Sequence, residues 1–244
     1  MSNPATNPRL TDELQASVAA KTAAALDLLQ EIAEKSYPAC FASSLGAEDQ
    51  VLTDLILRAG LQDKIEIFSL DTGRLPLETY DLMAAVHKHY GLKLKVYFPQ
   101  SDAVESYVRA NGINAFYDSV ELRKACCFAR KVEPLRRALA GKKAWITGLR
   151  AQQATTRVGL PVQEFDESNG LNKFNPLTAW TEKEVWAYIR LNHVPYNALH
   201  DQFYPSIGCA PCTRAIAVGE DVRAGRWWWE NPETKECGLH VKAS

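Results

Sequence analysis

The chain has 244 residues, carries 28 Lys and Arg against 29 Asp and Glu, and is 46% hydrophobic, which is typical of a globular protein of one or two domains. Its net charge of −1 gives no general reason to expect binding to nucleic acid or to an anionic membrane. No stretch approaches the ~18 apolar residues of a membrane span, and the amino end is polar, with Pro4 and Pro8. We therefore expect a soluble, cytoplasmic protein.

From Thr11 to Leu149 the chain alternates between short apolar runs and longer amphipathic ones. A helix is predicted from Thr11, a favourable N-cap, to the Tyr37-Pro38 pair. The apolar runs that follow predict strands over 39–43, 65–70, 94–98 and 144–149. Amphipathic spacing predicts helices over 47–58, 76–90, 102–110 and 121–139, with a kink near Pro134. This alternation predicts an α/β fold, a parallel twisted sheet with helices on both faces.

The loops after the predicted strands are the expected ligand site, because ligands of open parallel sheets bind beyond the carboxyl ends of the strands. These loops are 43–49, 70–74 and 147–157.

The last part of the chain is less regular. Residues 162–165 and 172–177 predict a small hairpin or an edge strand, and a capping box at Thr181 and Glu184 opens a further helix. From Val194 onward the chain is rich in Pro, Gly, Trp and Cys. We therefore expect three parts: a disordered tail over 1–9, an α/β domain over 10–215 and an irregular, Cys-bearing C-terminal segment over 216–244.

Four of the six cysteines form two close pairs, Cys126-Cys127 and Cys209-x-x-Cys212. Adjacent cysteines on a helix project about 100° apart, which is awkward for one small ion and suits two corners of a larger cluster. The second pair has a spacing common to zinc and iron–sulfur sites. Zinc, an iron–sulfur cluster and two unrelated pairs of buried thiols all remain open at this point. Cys40, in an apolar strand, is expected to be structural.

Cys237 lies close to the end of the chain, with Lys235 and His240 nearby. Neighbouring positive charge favours the thiolate, which is the nucleophilic form of the side chain. A catalytic thiol and an incidental one on a loose tail are both compatible with this pattern.

The loop over 43–49 joins a strand to the amino end of a helix and contains Gly46, so its backbone N–H groups can approach an anion. It lacks the lysine of a Walker motif, and many ordinary strand-to-helix turns look similar. Basic side chains that can clamp an anion gather in the later loops. They are Arg130, Lys131, Arg150, Arg157, Arg214, Arg223 and Arg226.

Together these segments resemble one family, the assimilatory sulfonucleotide reductases, and within it the iron–sulfur type. The matching stretches keep the family's order from about residue 39 to residue 240. They are SSLGAED at 43–49, LDTGR at 70–74, CCFARKVEPLRR at 126–137, TGLRAQQATTR at 147–157, IGCAPC at 207–212, GEDVRAGRW at 219–227 and ECGLH at 236–240.

The resemblance implies an adenine nucleotide alpha-hydrolase-like fold, related to the ATP pyrophosphatases. It implies that Cys126, Cys127, Cys209 and Cys212 hold a [4Fe–4S] cluster and that Cys237, His240 and Lys131 are catalytic. The substrate-binding residues that it implies are Ser43, Gly46, Asp71, Thr72, Gly148, Arg150, Arg157, Arg223 and Arg226. Two positions depart from the family pattern, Leu45 before Gly46 and Ala154 where serine is common.

The implied reaction is the thioredoxin-dependent reduction of adenosine 5′-phosphosulfate (APS) to sulfite and AMP, in assimilatory sulfate reduction and cysteine biosynthesis. It would pass through an S-sulfocysteine on Cys237, and thioredoxin or a glutaredoxin-like dithiol protein would release the sulfite. The alternatives are the 3′-phosphorylated substrate PAPS, a non-catalytic zinc protein that binds nucleotides, and a sulfurtransferase acting on tRNA, which the balanced charge disfavours. A homo-oligomer is compatible with the sequence.

Overall fold

The computed structural model describes residues 3–153 and 159–231. Its strands are β1 (Ala39–Ala42), β2 (Ile65–Leu70), β3 (Lys95–Tyr97), β4 (Ala144–Ile146), β5 (Gln163–Asp166) and β6 (Leu171–Phe174). Its helices are α1 (Asp12–Lys35), α2 (Ala47–Arg58), α3 (Leu77–Tyr90), α4 (Ser101–Asn111), α5 (Val120–Cys127), α6 (Glu133–Leu139) and α7 (Glu182–Asn192). None of the helices in these two ranges has the length and apolar character needed to cross a membrane.

The strands form one sheet of six in the order β3-β2-β1-β4-β6-β5. Strand β1 pairs in parallel with β2 and β4, β2 pairs with β3, and β4 pairs with β6. Only β5 runs antiparallel, at one edge beside β6. The predicted parallel sheet is confirmed. The hairpin predicted after Gly159 is β5–β6, and it extends the sheet.

Both faces of the sheet are covered by helices, as the alternation predicts. Successive side chains of a strand point to opposite faces. In β1, fully buried Phe41 belongs to the apolar cluster that includes side chains of α1, α2 and α7. The preceding residue, Cys40, points to the other face of the sheet. It is also fully buried and packs in a cluster with Leu135 and Leu139 of α6. Burial raises the pKa of the Cys40 thiol to about 12, so this side chain behaves as the small hydrophobe expected.

The helix starts follow the capping residues of the sequence. Thr11 Oγ1 accepts a hydrogen bond from the Leu14 amide (3.3 Å) at the start of α1. At α7 the predicted capping box is present, because Thr181 Oγ1 accepts from the Glu184 amide and Glu184 Oε2 accepts from the Thr181 amide.

The helix predicted over 121–139 consists of α5, a π-helical turn over Phe128–Val132, and α6. Pro134 stands in the first turn of α6. It has no N–H to donate to the carbonyl of Arg130 four residues earlier, and its ring crowds that carbonyl. The predicted kink therefore takes the form of a widened turn directly after the Cys126-Cys127 pair.

Residues 3–9 differ from the disordered tail expected for them. Pro4–Thr6 form a short 3-10 turn, and Asn3 and Thr6 are buried. Asn3 Nδ2 donates to the His200 carbonyl (2.9 Å), and Thr6 Oγ1 donates to Asp201 (2.6 Å). These partners lie almost two hundred residues away in sequence, so local composition does not reveal them.

Candidate functional site

A cavity of about 250 Å³ lies beyond the carboxyl ends of β1, β2 and β4. Ser43 after β1, Ser69 and Leu70 at the end of β2, and Thr147 and Gly148 after β4 line it. The cavity is therefore where the parallel topology predicts a ligand site.

The loop over 43–49 forms one wall of the cavity through Ser43, Ser44 and Gly46. Gly46 is the N-cap of α2 and makes no side-chain capping bond. Leu45 does not line the cavity; it has a left-handed backbone (φ 64°) and is buried against side chains of α3. At this position the chain departs from the family pattern. A buried apolar side chain, that of Leu45, stands where a hydroxyl contact to the nucleotide is expected.

Asp49 lies in the same cavity, although the sequence presents it as an ordinary residue at a helix start. Its Oδ2 accepts hydrogen bonds from both the amide and the hydroxyl of Ser44, each at 2.6 Å. Burial raises the pKa of Asp49 to about 7, against the lowering effect of these two bonds. Only glycine fits at 148, because a Cβ there would collide with the Asp49 carboxylate.

Arg150 lines the cavity as expected, and its guanidinium is engaged by a neighbouring carboxylate. Its Nε donates to Glu48 Oε1 at 2.7 Å, and the two side chains are 5% and 17% exposed. Burial raises the pKa of Glu48, but the charge and hydrogen bond of Arg150 outweigh it, so that this pKa lies below its ordinary value. The negative charge of Glu48 thus largely balances the positive charge of Arg150.

Three further cationic side chains line the cavity, Lys131, Arg223 and Arg226. Arg226 is only 8% exposed, and its Nη1 donates to Ser206 Oγ (3.3 Å) and to the Ile207 carbonyl (3.4 Å). This group is the basic wall of the cavity.

The four paired cysteines lie around a second, smaller cavity of about 20 Å³. Cys126 and Cys127 come from the end of α5. Cys209 is the N-cap and Cys212 the last residue of a 3-10 turn over Ala210–Cys212. Burial raises the pKa of Cys126 and Cys212, the latter to about 12. The structure thus brings together the two pairs that the sequence separates by some eighty residues.

Basic side chains surround this small cavity: Arg74, Arg123, Arg130 and Lys131. Lys131 lines both cavities and so stands between the cysteines and the nucleotide-sized space. Over 3–153 and 159–231, no three His, Cys, Asp or Glu side chains are arranged to hold a single metal ion.

Asp71 and Thr72 are placed differently from the substrate contacts that the resemblance implies, since neither lines the larger cavity. Asp71 Oδ1 accepts from the Gly73 amide (2.7 Å) and from the Tyr80 hydroxyl (3.0 Å). Thr72 Oγ1 lies 3.2 Å from Cys209 Sγ, and the Thr72 carbonyl accepts from Arg130 (2.7 Å). The LDTGR loop therefore supports the cysteine site.

A buried ion pair attaches the last described residues to the cysteine helix. Arg123 of α5 donates through Nε and Nη2 to the two carboxylate oxygens of Glu230, each at 2.8 Å, and the side chains are 0% and 3% exposed. The same guanidinium lies over the Trp227 ring, with 4.6 Å to its centroid. The predicted site residues Arg157, Cys237 and His240 lie outside the described residues.

Several cavity residues were not anticipated from the sequence: Asn3, Thr6, Asp49, Glu182, Trp186 and His200. A lone buried histidine or a helix-start carboxylate has no distinguishing pattern in a single sequence. The segment HDQ at 200–202 lies outside the matched motifs, so nothing in the sequence indicates that it belongs to the cavity.

Comparison with known proteins agrees with this arrangement. Residues 38–215 match the family described as phosphoadenosine phosphosulfate reductase domain. The chain is 58% identical over 236 residues to adenosine 5′-phosphosulfate reductase of Allochromatium vinosum, covering 95% of this chain and 91% of that protein. It is 54% identical over 237 residues to the enzyme of the same name from Burkholderia cepacia, covering 97% and 92%.

Solved structures give the same fold. The crystal structure of phosphoadenylyl-sulfate (PAPS) reductase from Candida auris superposes with a TM-score of 0.67 at 29% identity, covering 86% of this chain and 99% of that one. FAD synthetase from yeast shares the fold at 16% identity, with a TM-score of 0.58 over 87% of this chain and 72% of that one. The adenine nucleotide alpha-hydrolase-like architecture expected from the resemblance is confirmed.

Proposed function

The chain belongs to the phosphoadenosine phosphosulfate reductase family and is an oxidoreductase acting on a sulfur group, and on this premise we propose that it reduces APS to sulfite and AMP. The observation that carries the proposal is the position of Lys131, which lines both the nucleotide-sized cavity and the cavity of four cysteines. Relatives named adenosine 5′-phosphosulfate reductase share about half of their sequence with the chain or more, which supports APS over PAPS.

The four cysteines fit a [4Fe–4S] cluster as the resident cofactor. Cys126, Cys127, Cys209 and Cys212 supply four thiols around one small cavity, and four basic side chains stand close enough to balance the negative charge of thiolates. Thr72 Oγ1 is within hydrogen-bond distance of Cys209 Sγ, the kind of outer contact that orients a thiolate ligand. When bound, the cluster would supply a fixed charge distribution beside Lys131 and would not need to change its redox state.

The basic wall would hold the phosphosulfate group. Displacement at a sulfur that carries several anionic oxygens requires positive charge around it, and Lys131, Arg223 and Arg226 supply that charge. The Cys237 thiolate would attack this sulfur, forming an S–S bond while the S–O bond to the nucleotide phosphate breaks. AMP leaves with the bonding electron pair, and Cys237 becomes an S-sulfocysteine.

A dithiol protein such as thioredoxin would complete the reaction. One of its thiolates attacks the Cys237 Sγ and releases sulfite with the electron pair of the S–S bond. Its second thiol then resolves the mixed disulfide, so that the partner is oxidised to a disulfide and Cys237 returns as a thiol. Within the described ranges no cysteine forms a disulfide, as we expect of a protein that acts in the reducing cytoplasm. Sulfite formed there would enter assimilatory sulfate reduction and cysteine biosynthesis.

The proposal is tested by measuring sulfite release from APS and from PAPS with thioredoxin, using anaerobically purified protein. Faster release from APS is the expected result. Faster release from PAPS would identify the alternative substrate. Nucleotide binding without sulfite from either substrate, together with one zinc per chain, would identify the non-catalytic alternative.

The nucleophile assignment predicts that Cys237→Ser abolishes sulfite formation while the iron content and the absorbance near 400 nm stay at their wild-type values. Cys40→Ala is the matched control, because Cys40 is fully buried in the sheet core and lines neither cavity. We expect this control to retain both turnover and iron. Normal turnover by Cys237→Ser would show that another group attacks the sulfur.

The ligand assignment predicts that Cys126→Ala, which removes one of four thiols around the small cavity, lowers the iron content and the absorbance near 400 nm severely. Iron and acid-labile sulfide are measured after anaerobic purification and compared with Cys40→Ala. Retention of four iron per chain in Cys126→Ala would remove this residue from the ligand set.

A further inference from the structure

Arg123 of α5 is a buried cation whose contacts extend from the cysteine site to the last described residues of the chain. It lines the small cavity, and its guanidinium hydrogen-bonds the side chain of Cys127. The same guanidinium forms the bidentate ion pair with Glu230, in which the side chains are 0% and 3% exposed. Taking two charges out of water is costly, so such a pair is weak evidence for stability and is better explained by the arrangement that it fixes.

The stretch 226–230 contains a strained residue, Trp227. Its backbone is left-handed, with φ 40°, a conformation that a bulky side chain rarely adopts. Such a residue persists only where its surroundings hold it, and residues of this kind cluster at functional sites. The Trp227 amide donates to the Cys212 carbonyl (3.2 Å), and the Glu230 amide donates to the Trp227 carbonyl (2.9 Å). The strained turn is thus fastened to the cysteine turn and to the residue that Arg123 holds.

Two guanidinium groups lie over the Trp227 ring, one from each cavity. Arg123 of the small cavity is 4.6 Å from the ring centroid, and Arg226 of the larger cavity is 4.7 Å from it. Arg226 directly precedes Trp227, so the backbone of the strained turn also sets the direction of the Arg226 side chain. The place of Arg226 in the basic wall therefore depends on the turn that Arg123 and Glu230 hold.

We propose that Arg123 and Glu230 are positioning residues for the basic wall, an inference that rests on the proposed function. Their ion pair holds the strained turn at Trp227, and this turn directs Arg226 at the anionic part of the nucleotide. Neither Arg123 nor Glu230 lines the larger cavity, so their effect on a ligand passes through Arg226. The effect is specific to an anionic ligand, because a guanidinium recognises a phosphate or a sulfate through charged hydrogen bonds.

The test measures the binding of AMP and of uncharged adenosine by calorimetry in Glu230→Gln, which keeps the shape of the side chain and removes its charge. We expect the affinity for AMP to fall about tenfold, the loss of one well-directed charged hydrogen bond, and the affinity for adenosine to stay at its wild-type value. Arg123→Lys, which keeps the charge and removes the planar fork, should act in the same direction.

Glu220→Gln is the matched control. Glu220 forms a similar bidentate pair with Arg214, with both contacts at 3.1 Å, but this pair is exposed. The variant should bind both ligands as wild type does, because an exposed pair fixes little.

A double-mutant cycle tests whether the effect passes through Arg226. In an Arg226→Ala background, Glu230→Gln should cause little further loss of AMP affinity, whereas independent effects would add. The iron content and the absorbance near 400 nm are measured on each variant and should stay at their wild-type values.

Each other outcome overturns a definite statement. Wild-type AMP affinity in Glu230→Gln would overturn the inference, and so would an equal loss of affinity for AMP and adenosine, which would show a general structural role. Additive losses in the cycle, or a loss of iron in step with the affinity, would show that the pair does not act through Arg226 and would also overturn it. Failure of the wild-type protein to bind AMP would instead overturn the proposed function.

Discussion

Arg226 is a buried basic residue of the cavity whose guanidinium is held by several neighbours. Its guanidinium donates to Ser206 and to the Ile207 carbonyl and lies over the Trp227 ring, 4.7 Å from the centroid. A Cβ at position 208 would collide with this guanidinium, so the glycine there leaves room for it. A planar group held in this way can present its remaining N–H donors to an anion in a fixed direction.

Arg226→Lys should therefore lower kcat/KM for APS by at least about tenfold, because an ammonium cannot keep the fixed fork of a guanidinium. The measurement is the initial rate of sulfite release at normal iron content. Arg214→Lys is the matched control, since Arg214 is 39% exposed and pairs with Glu220 at the surface. Equal effects of the two substitutions would contradict a specific role for Arg226.

Single residues divide into those that the sequence could identify and those that it could not. Lys131, Arg223, Arg226 and the four cysteines were predicted as site residues from motif context, and in the structure they line the two cavities, Lys131 lining both. Asp49 lies in a predicted ligand loop but was not singled out, because its burial and its hydrogen bonds with Ser44 leave no pattern in the sequence. Asp71 and Thr72 were assigned as substrate contacts from a motif, whereas in the structure Asp71 accepts from the Gly73 amide of its own loop and Thr72 contacts Cys209 of the cysteine site.

At the scale of elements, one carboxylate joins the first and the last long helices. Glu184 of α7 accepts from Ser17 (2.6 Å) and from Lys21 (2.6 Å) of α1 and also closes the capping box with Thr181. Burial raises the pKa of Glu184, but these hydrogen bonds outweigh it and lower the pKa to about 2. The charged form is thus more stable in the folded protein than in the unfolded chain.

Glu184→Gln should lower the free energy of unfolding by about 2–3 kcal/mol at pH 7. Because the folded pKa is depressed, this stabilisation is full above about pH 4.5 and is lost as the pH falls towards 2. Denaturant unfolding at pH 7 and pH 4 should therefore show a smaller difference between variant and wild type at the lower pH. The exposed Lys35–Glu31 pair provides the control Glu31→Gln, with an expected change below about 0.5 kcal/mol. A constant difference at both pH values would refute the charge-based account.

Elements with strong local signals were predictable from the sequence. Periodicity and caps located the strands and helices from α1 to β4 and the start of α7, because apolar spacing and capping side chains act within a few residues. The π-helical turn at Phe128–Val132 and the ordered segment at Pro4–Thr6 were not predictable. The ordered segment depends on contacts of Asn3 and Thr6 with residues almost two hundred positions away, and the proline in the sequence predicts a kink without fixing the form that it takes.

For the whole molecule, the net charge of −1 conceals an uneven distribution. In the larger cavity the charges of Glu48 and Arg150 balance each other in an ion pair. The remaining charged groups on its wall are three basic side chains and two carboxyl groups: Lys131, Arg223, Arg226, Asp49 and Glu182. Burial raises the pKa of both of these carboxyl groups, that of Asp49 to about 7, so that Asp49 is only partly charged at neutral pH. A small anionic nucleotide therefore meets a positive site on a protein without a general attraction for polyanions.

This distribution predicts that kcat/KM for APS falls severalfold when the salt concentration rises from about 0.05 M to about 0.5 M, since the Debye length shortens to a few ångströms. The affinity for uncharged adenosine should stay constant over the same range and serves as the control. Parallel changes for both ligands would indicate a general effect of salt on the protein instead.

The ion pair between Arg123 and Glu230 also bears on where the proposed dithiol reductant would bind. Cys237 follows Glu230 by seven residues, and such a stretch spans at most about 25 Å. With Cys237 as the proposed carrier of sulfur, transfer would take place within about that distance of Glu230, whose carboxylate is buried against Arg123 of α5. This buried contact in the cysteine helix would then limit where the proposed dithiol protein can dock.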